Sequence, residues 1–180
     1  VSMLTLVMAL AVCKAVEESY PELTGLGIKW PNDIVLDGKK LCGILTELYI
    51  EEKNYVIVGV GINTNQTRFP EEIAETATSL KLETTAGIDH RELAERILVC
   101  FERYYSKFEE KVDMSTIMGE YVEKLVNKDR EVLVFDPKGT YEAVALGINE
   151  QGELLVRKED GTTEAVFAGE VSVRGVYGYV

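Results

Sequence analysis

The chain has 180 residues, of which 46% are hydrophobic, so it can bury a core, and a disordered or collagen-like protein is excluded. Its 31 acidic and 19 basic side chains give a formal net charge of −12. We therefore expect this chain to bind neither nucleic acid nor an anionic membrane surface, because both favour clustered lysines and arginines.

The first predicted element is a buried helix. Residues 1–13 are nearly all apolar, but this run is shorter than the roughly 20 residues of a membrane span, and no basic residue precedes it as in a signal peptide. One helical stripe collects Leu6, Leu10, Cys13 and Val16. Because the helical pattern is already under way at residue 1, we expect the chain to be part of a longer one.

Short strands follow this helix. Apolar stretches predict strands at residues 27–30, 34–36, 41–49 and 55–60. The dipeptide Asp37-Gly38, between the second and third strands, is a favoured two-residue hairpin turn. We therefore expect a β-hairpin in this region.

Three helices are predicted between residues 70 and 125. Pro70, followed by two glutamates, suits a first helical turn, where proline is tolerated and acidic side chains face the positive end of the helix dipole. Asp89 is a candidate N-cap for a long helix with apolar side chains at Leu93, Ile97, Phe101 and Tyr104. A further helix covers residues 115–125.

The pattern changes at residue 127. Five short β-patterned runs, separated by turn residues, occupy residues 131–135, 140–148, 153–158, 163–167 and 171–176. Five strands within about 50 residues are typical of a small SH3-like barrel. We therefore predict two domains, residues 1–126 and residues 127–180.

The three cysteines, Cys13, Cys42 and Cys100, lie far apart, and His90 is the single histidine. This spacing disfavours a structural zinc site and a disulfide framework, and it favours reduced thiols in a cytoplasmic protein. Because Cys13 and Cys100 lie among apolar helical residues, we expect buried, inert thiols rather than a catalytic Cys/His pair.

The sequence Lys29-Trp30-Pro31-Asn32-Asp33 is the first candidate site. It presents a cation, an amide and a carboxylate at the end of a strand, and proline stiffens the turn. Such a group can bind an anionic or nucleotide-like ligand. The alternative is a surface turn whose tryptophan packs on the core.

Lys40 is the second candidate. Alternation along a strand directs Lys39 and Lys40 to opposite faces, and small Gly43 lets a lysine approach phosphate or carboxylate oxygens. The alternative is a pair of solvated lysines that protect a hairpin edge.

The third candidate is Gly59-Val60-Gly61-Ile62-Asn63. Glycines within a strand mark close approach of a ligand or backbone, and asparagine offers a heterocycle both a donor and an acceptor. The sequence is not G-x-G-x-x-G and opens no helix, so it is not a dinucleotide-binding fingerprint.

Together, Lys-Trp-Pro-Asn-Asp, Lys-Lys-Leu-Cys-Gly-Ile-Leu-Thr-Glu and Gly-Val-Gly-Ile-Asn resemble the biotin protein ligase (biotin–acetyl-CoA-carboxylase ligase) family in order and spacing. Ala-Thr-Ser-Leu at 77–80 and Gly-Glu-Val-Ser-Val-Arg at 169–174 extend the resemblance. It implies an α+β fold, with part of a class II synthetase-like mixed sheet followed by an SH3-like barrel. It also implies that biotin and MgATP form biotinoyl-5′-AMP, from which a lysine of a biotin carboxyl carrier protein takes the biotin.

The resemblance also implies residue roles. Lys40 matches the active-site lysine that contacts the biotin carboxylate and the α-phosphate, and Asp33 matches a polar residue near the attacking lysine. The biotin pocket is implied at Lys40, Gly43, Ile44, Leu45, Gly59, Val60 and Gly61. The nucleotide site is implied at Asn32, Lys40, Asn63, Glu170 and Arg174. No protein ligand for a metal is implied, and Mg²⁺ accompanies the nucleotide.

Several family features have no counterpart in this sequence. These are the Gly- and Arg-rich loop over biotin and the phosphates, the strands before it, and a DNA-binding helix-turn-helix. We therefore expect a C-terminal portion of the enzyme that shows no measurable biotinylation by itself. The alternative is a non-catalytic ligand-binding or dimerisation module, and lipoate and octanoyl ligases rank below both. A homodimer is an expectation of the resemblance alone.

Overall fold

The predicted amino-terminal helix is confirmed by the computed structural model, which describes residues 1–136, 139–168 and 172–175. Helix α1 (Ser2–Ser19) buries an almost continuous run of side chains, including Leu6, Leu10 and Val16. Apolar residues on every side of a helix indicate that it is covered all round. Among the described helices, none has the combination of length and apolar character that crossing a membrane requires.

A four-stranded sheet follows α1. Its strands pair antiparallel in chain order, and they are β1 (Leu26–Lys29), β2 (Asp33–Leu36), β3 (Lys39–Tyr49) and β4 (Tyr55–Ile62). The predicted hairpin is confirmed, because Asp37 and Gly38 have φ values of 48° and 77°, as a two-residue primed turn requires. Strand β3 begins earlier than predicted, because this short turn pairs Lys39 directly with Leu36. Parallel pairing occurs as two isolated bridges.

Two layers of helix cover one face of this sheet. Helix α1 packs on β3, and α3 (His90–Glu109) packs on α1. The predicted cap of α3 is confirmed, since Asp89 Oδ1 accepts hydrogen bonds from the backbone N–H groups of Arg91 and Glu92 at 2.9 and 3.0 Å. The core therefore lies between α1, α3 and the sheet.

The prediction of a helix that starts at Pro70 is wrong. Residues 71–76 form successive turns, in which Ile73 N–H donates to Pro70 O at 3.0 Å. The backbone then pairs with β3, where Lys40 N–H donates to Thr76 O at 2.7 Å and Lys40 O accepts from Thr78 N–H at 2.9 Å. This pairing requires extended backbone, so it overrides the local helical preference. A short helix, α2 (Leu80–Glu83), follows.

The five predicted carboxy-terminal strands are all present. They form one antiparallel sheet in the order β8-β7-β6-β5-β9, with β5 (Glu131–Asp136), β6 (Gly139–Ile148), β7 (Leu154–Lys158), β8 (Thr163–Val166) and β9 (Ser172–Gly175). Closure of this sheet into a barrel stays a prediction, as does the domain boundary at residue 127. The preceding helix, α4 (Met118–Lys124), is shorter than predicted.

The chain between α4 and β5 runs alongside β1. Val126 N–H donates to Ile28 O at 2.9 Å, and Leu125 forms a parallel bridge with Ile28. Contact is so close that a Cβ atom on Gly27 would lie 2.4 Å from a methyl carbon of Val126. The carboxy-terminal part of the chain is therefore fixed against the same strand that leads into the first candidate site.

Candidate functional site

A cleft of about 460 Å³ opens where β1 turns into β2. Its walls come from the start of α1, from β3 and from the carboxy-terminal sheet. The lining residues are Val1, Ser2, Thr5, Lys29, Trp30, Pro31, Asn32, Asp33, Ile44, Leu45, Thr46, Phe167, Ala168 and Val173. The first candidate motif thus borders one cavity along its whole length, although Trp30 itself is fully buried.

Lys40 is not one of the lining residues, but it contacts Asp33, which lines the cleft. Its Nζ lies 2.6 Å from Asp33 Oδ1, and the Asp33 side chain is only 11% exposed. Lys40 lies across Gly43, where a Cβ atom would stand 3.2 Å from Lys40 Cε and 3.3 Å from Lys40 Nζ. A side chain at position 43 would therefore crowd the end of Lys40, and glycine leaves room for the Lys40–Asp33 ion pair.

The backbone of Lys40 is held from outside the hairpin. The segment around Thr76 pairs with it, and Asn63 Nδ2 donates weakly to Lys40 O at 3.4 Å. Asn63 is tied in turn to Leu41 through its own N–H, at 2.9 Å. The structure thus places Asn63 against the backbone of Lys40 and Leu41, and Asn63 is not among the residues that line the cleft.

Lys29, to which the sequence pattern assigned no role of its own, is a buried lysine of the site. It is 7% exposed and lies opposite Asp33 in the β1–β2 register. Burial lowers the pKa of Lys29 below its usual 10.5, the positive charges of Lys40 and Arg174 lower it further, and Asp33 opposes them. The pairing of β1 with β2 places Lys29 and Asp33, the first and last residues of the motif, on the same face of the sheet. A predicted tight turn between them was the sequence feature that could have indicated this.

Asn32 fastens the turn to β3. Its Nδ2 donates to Ile44 O at 3.0 Å, and its own backbone O accepts from Ile44 N–H at 2.9 Å. Both bonds fix the position of Asp33, the next residue, relative to β3. The side-chain amide of Asn32 thus has a structural partner.

The predicted biotin wall is divided between two faces of the sheet. Leu45, Gly59 and Gly61 lie on an exposed face, where Leu45 is 65% exposed and pairs with Gly59. Val60 lies on the opposite face, in a separate groove of about 350 Å³ beside α3. Ile44, in the middle of β3, shares that inner face and is buried, and it also lines the cleft. Alternation along β3 and β4 causes the division.

The carboxy-terminal sheet contributes apolar side chains to the cleft. Phe167 and Val173 line it, and the Arg174 guanidinium lies 5.3 Å from the centre of the Phe135 ring. The charge of Arg174 reaches the site, since it affects the pKa of Lys29. Glu170, predicted beside the nucleotide, lies outside the described residues.

Trp30 is buried beneath this charged surface. Its backbone N–H donates to Asn127 Oδ1 at 2.8 Å, and its indole Nε1–H donates to Gly152 O at 3.1 Å. The two interpretations of the motif are therefore both correct in part, because the tryptophan packs in the core while its neighbours face a cleft. Nothing in the sequence alone pointed to Asn127.

The cysteines are buried and free, as predicted for Cys13 and Cys100. Burial raises the pKa of the Cys42 thiol to about 12 and raises those of the other two, so all three are poor nucleophiles at neutral pH. Over the described ranges, no cluster of three or more His, Cys, Asp or Glu side chains is arranged to hold a metal ion.

Two family models match the chain. The biotin/lipoate A/B protein ligase family matches residues 1–63, and the biotin protein ligase C-terminal domain matches residues 129–174. These matches include the cleft and the second sheet.

Relatives and solved structures agree with these matches. The bifunctional ligase/repressor BirA of Bacillus subtilis is 37% identical over 164 residues, which are 88% of this chain and 49% of that protein. The biotin–[acetyl-CoA-carboxylase] ligase of Mycobacterium tuberculosis is 32% identical, over 91% of this chain and 61% of that protein. The chain thus spans about half the length of the first of these relatives.

Among solved structures, the apo biotin protein ligase of Aquifex aeolicus has a TM-score of 0.86 and 32% identity, over 97% of this chain and 76% of that one. The same enzyme in complex with biotin and ATP has a TM-score of 0.85 and 31% identity, over 97% and 72%. The α+β fold with its carboxy-terminal sheet is therefore one that these enzymes share.

Proposed function

This chain belongs to the biotin protein ligase family, and on that premise we propose that its protein attaches biotin to a lysine of a biotin carboxyl carrier protein. In the first step a carboxylate oxygen of biotin attacks the α-phosphorus of ATP, and pyrophosphate leaves. In the second step the lysine amine attacks the acyl carbon of biotinoyl-5′-AMP, an amide forms, and AMP and a proton leave.

The observation that carries this proposal is the charged group at the cleft. Lys40 Nζ is fixed 2.6 Å from Asp33, and the buried cation Lys29 lies on the other side of that carboxylate. Both steps place negative charge on the α-phosphate, and cations held in place before the reaction stabilise it without having to reorganise. Two lysines and one carboxylate leave the site with a net positive charge, which favours an anionic ligand.

We propose Lys40 and Asp33 as the catalytic pair. Lys40 contacts the biotin carboxylate and the α-phosphate, while Asp33 orients Lys40 and positions the incoming amine. Gly43 leaves room for the Lys40 side chain to lie across β3. Lys29 adds a second positive charge that stabilises the negative charge of the α-phosphate.

The exposed glycines support a biotin wall on β3 and β4. A Cβ atom would have ordinary room at Gly59 and at Gly61, with nearest backbone oxygens at 3.6 and 3.8 Å, so no close contact in the described chain requires glycine there. We propose that they leave the sheet flat for a ligand. Leu45 and Ile44, which both line the cleft, supply apolar surface, and Val60 contributes through its backbone.

For the nucleotide we propose Asn32, Asn63, Glu170 and Arg174, together with Lys40. Asn63 Nδ2 donates to Lys40 O at 3.4 Å, and no described residue donates to Asn63 Oδ1, so this amide suits an adenine edge. Asp33, the carboxylate in the cleft lining, is paired with Lys40. Mg²⁺ therefore fits here as a companion of the ATP phosphates, whose charge it neutralises when bound.

The proposed partners follow from this reaction. A carrier protein presents its lysine to the cleft, and a cytoplasmic location and a homodimer belong to the proposal as expectations of the family. The net charge of −12 supports the expectation that this chain binds neither DNA nor an anionic membrane.

The test uses the complete gene product with biotin, MgATP and a biotin carboxyl carrier domain. We expect mass spectrometry to find one biotinoyl group on a single carrier lysine, dependent on both biotin and ATP. Lys40→Met should slow transfer by about 100-fold or more, the loss typical of a donor to a developing anion. The neighbouring Lys39→Met is the matched control and should leave the rate within about 2-fold, as expected for a surface charge outside the site.

Absence of transfer by the unsubstituted protein would contradict the proposed function. If that protein still bound biotinoyl-5′-AMP, the non-catalytic binding module would be the correct alternative. Equal losses in the Lys39 and Lys40 variants would show that the wrong lysine has been assigned.

A further inference from the structure

Trp30, at the centre of the first motif, is held by two residues of the carboxy-terminal part of the chain. Asn127 Oδ1 accepts from its backbone N–H at 2.8 Å, and Gly152 O accepts from its indole at 3.1 Å. Both bonds are buried and span 97 and 122 residues of sequence. The residue between Lys29 and Pro31 is therefore fixed from outside its own sheet.

Asn127 is built into its position. It is 0% exposed, its backbone O accepts from Arg130 N–H at 3.1 Å, and the preceding residue, Val126, donates to Ile28 O. A buried residue whose backbone is anchored in this way has little freedom to move with the cleft. It provides a rigid acceptor for Trp30.

The chemistry of Asn127 indicates a purpose beyond filling space. A buried amide is unfavourable unless its polar atoms are hydrogen-bonded, and an apolar side chain of the same shape would avoid that penalty. Its Nδ2 has no hydrogen-bond partner in the described part of the chain. Its Oδ1 bonds to the backbone of the site motif. The Asn127 amide thus combines an Nδ2 donor that has no described partner with an Oδ1 acceptor that binds the backbone N–H of Trp30.

We propose that Asn127 is a positioning residue of the biotinoyl-AMP site and acts through the backbone N–H of Trp30. The inference rests on the proposed function. With Trp30 fixed, Lys29 stays buried opposite Asp33, and Asn32 keeps its two bonds to Ile44. The carboxy-terminal part thereby sets the spacing of the charged groups that meet the ligand, without touching it.

The test compares two substitutions at position 127. Asn127→Leu is larger and removes the acceptor. Asn127→Asp has nearly the volume of asparagine, keeps an oxygen in the place of Oδ1 and replaces the donor that has no described partner by a second carboxyl oxygen, and burial favours the neutral form of that carboxyl. Backbone amide exchange is measured by mass spectrometry in all three proteins, and the affinity for biotinoyl-5′-AMP is measured by titration calorimetry. Trp30 is the single tryptophan of the chain, so its indole NMR signal reports whether the ring keeps its position and its bond to Gly152 O when Asn127 is changed.

We expect Asn127→Leu to speed exchange at residues 29–36, to leave strands β6 and β7 protected, and to weaken biotinoyl-5′-AMP binding by about 10-fold or more, as for loss of a buried hydrogen bond at a site. Asn127→Asp should recover most of the affinity and the Trp30 indole signal. If Asn127 were needed only for stability, its substitution would speed exchange throughout the chain. The affinity for biotinoyl-5′-AMP would then not depend on whether position 127 keeps an acceptor.

Equal affinity of the Leu and Asp variants, or exchange that rises uniformly, would overturn the positioning role while leaving the proposed function intact. Failure of the unsubstituted protein to bind biotinoyl-5′-AMP would overturn the proposed function and this inference with it.

Discussion

At the scale of single residues, the site is one coupled set of charges. Lys40 pairs with Asp33, and Lys29 lies opposite Asp33 in the β1–β2 register, where the charges of both residues act on its pKa. The sequence supplied all three residues, but seven positions separate Asp33 from Lys40. Their contact arises because the β2–β3 register shifts near Ile34 and because Gly43 opens the path between them. These are properties of three-dimensional packing, which single-residue patterns do not encode.

The pKa of Lys29 should respond to both neighbours in opposite directions. Removing a like charge with Lys40→Met should raise it, and removing the opposite charge with Asp33→Asn should lower it further. Titration followed by the ¹³Cε chemical shift of Lys29 measures both effects. A pKa that neither substitution moves would contradict the coupling of the three groups.

The sign of the linked stability change follows from the same shift. Because the folded pKa of Lys29 lies below its ordinary value of 10.5, the unfolded chain binds more protons between the two values. The contribution of Lys29 to the free energy of unfolding therefore rises with pH across that interval. Below it, the burial of the charged amine is an unfavourable contribution that remains constant.

At the scale of elements, local patterns predicted strands and the long helix α3 well, because hydrophobic period and capping agree with the final packing. They failed after Pro70, where pairing with the Lys40 backbone overrides helical preference. They also missed the edge contact between β1 and residues 124–127, because nothing in either segment identifies its partner. Gly27 is the residue that makes this contact possible.

Gly27→Ala should reduce the free energy of unfolding by about 1–3 kcal/mol, the usual penalty of overpacking. The added Cβ would lie 2.4 Å from Val126 Cγ1 and 3.0 Å from Lys124 O, so the edge segment must move. Gly119→Ala is the matched control, because no atom lies within 4 Å of that Cβ, and alanine in α4 should stabilise by up to about 1 kcal/mol. Urea unfolding measures both, and equal effects would refute the close contact.

At the scale of the whole molecule, the two parts of the chain are joined by buried hydrogen bonds from Trp30, just after β1, to Asn127 and Gly152, which lie outside the strands of the second sheet. Strand number and order of appearance along the chain were predictable from turn residues and alternation. The arrangement of one sheet against the other was not, because it depends on buried hydrogen bonds between residues about 100 positions apart. The cleft exists only through that arrangement, since Phe167 and Val173 close one of its sides.

Because Trp30, in the first part of the chain, bonds to Asn127 and Gly152 in the carboxy-terminal part, the molecule should unfold in one step. Its fluorescence reports the interface between the sheets, and far-ultraviolet circular dichroism reports secondary structure everywhere. We expect the two urea transitions to have the same midpoint, as for a cooperative unit. A fluorescence transition at a distinctly lower urea concentration would show that the sheets separate before they unfold.

The most direct test of the site is the binding of biotinoyl-5′-AMP measured by isothermal titration calorimetry, with Lys40→Met and Lys39→Met compared with the unsubstituted protein. The charged group at the cleft predicts saturable binding that Lys40→Met weakens by about 10-fold or more, the effect of losing a charge-assisted hydrogen bond, while Lys39→Met leaves it nearly unchanged. Binding that is absent from the unsubstituted protein, or equally strong in both variants, would contradict the assignment of this cleft as the biotinoyl-AMP site.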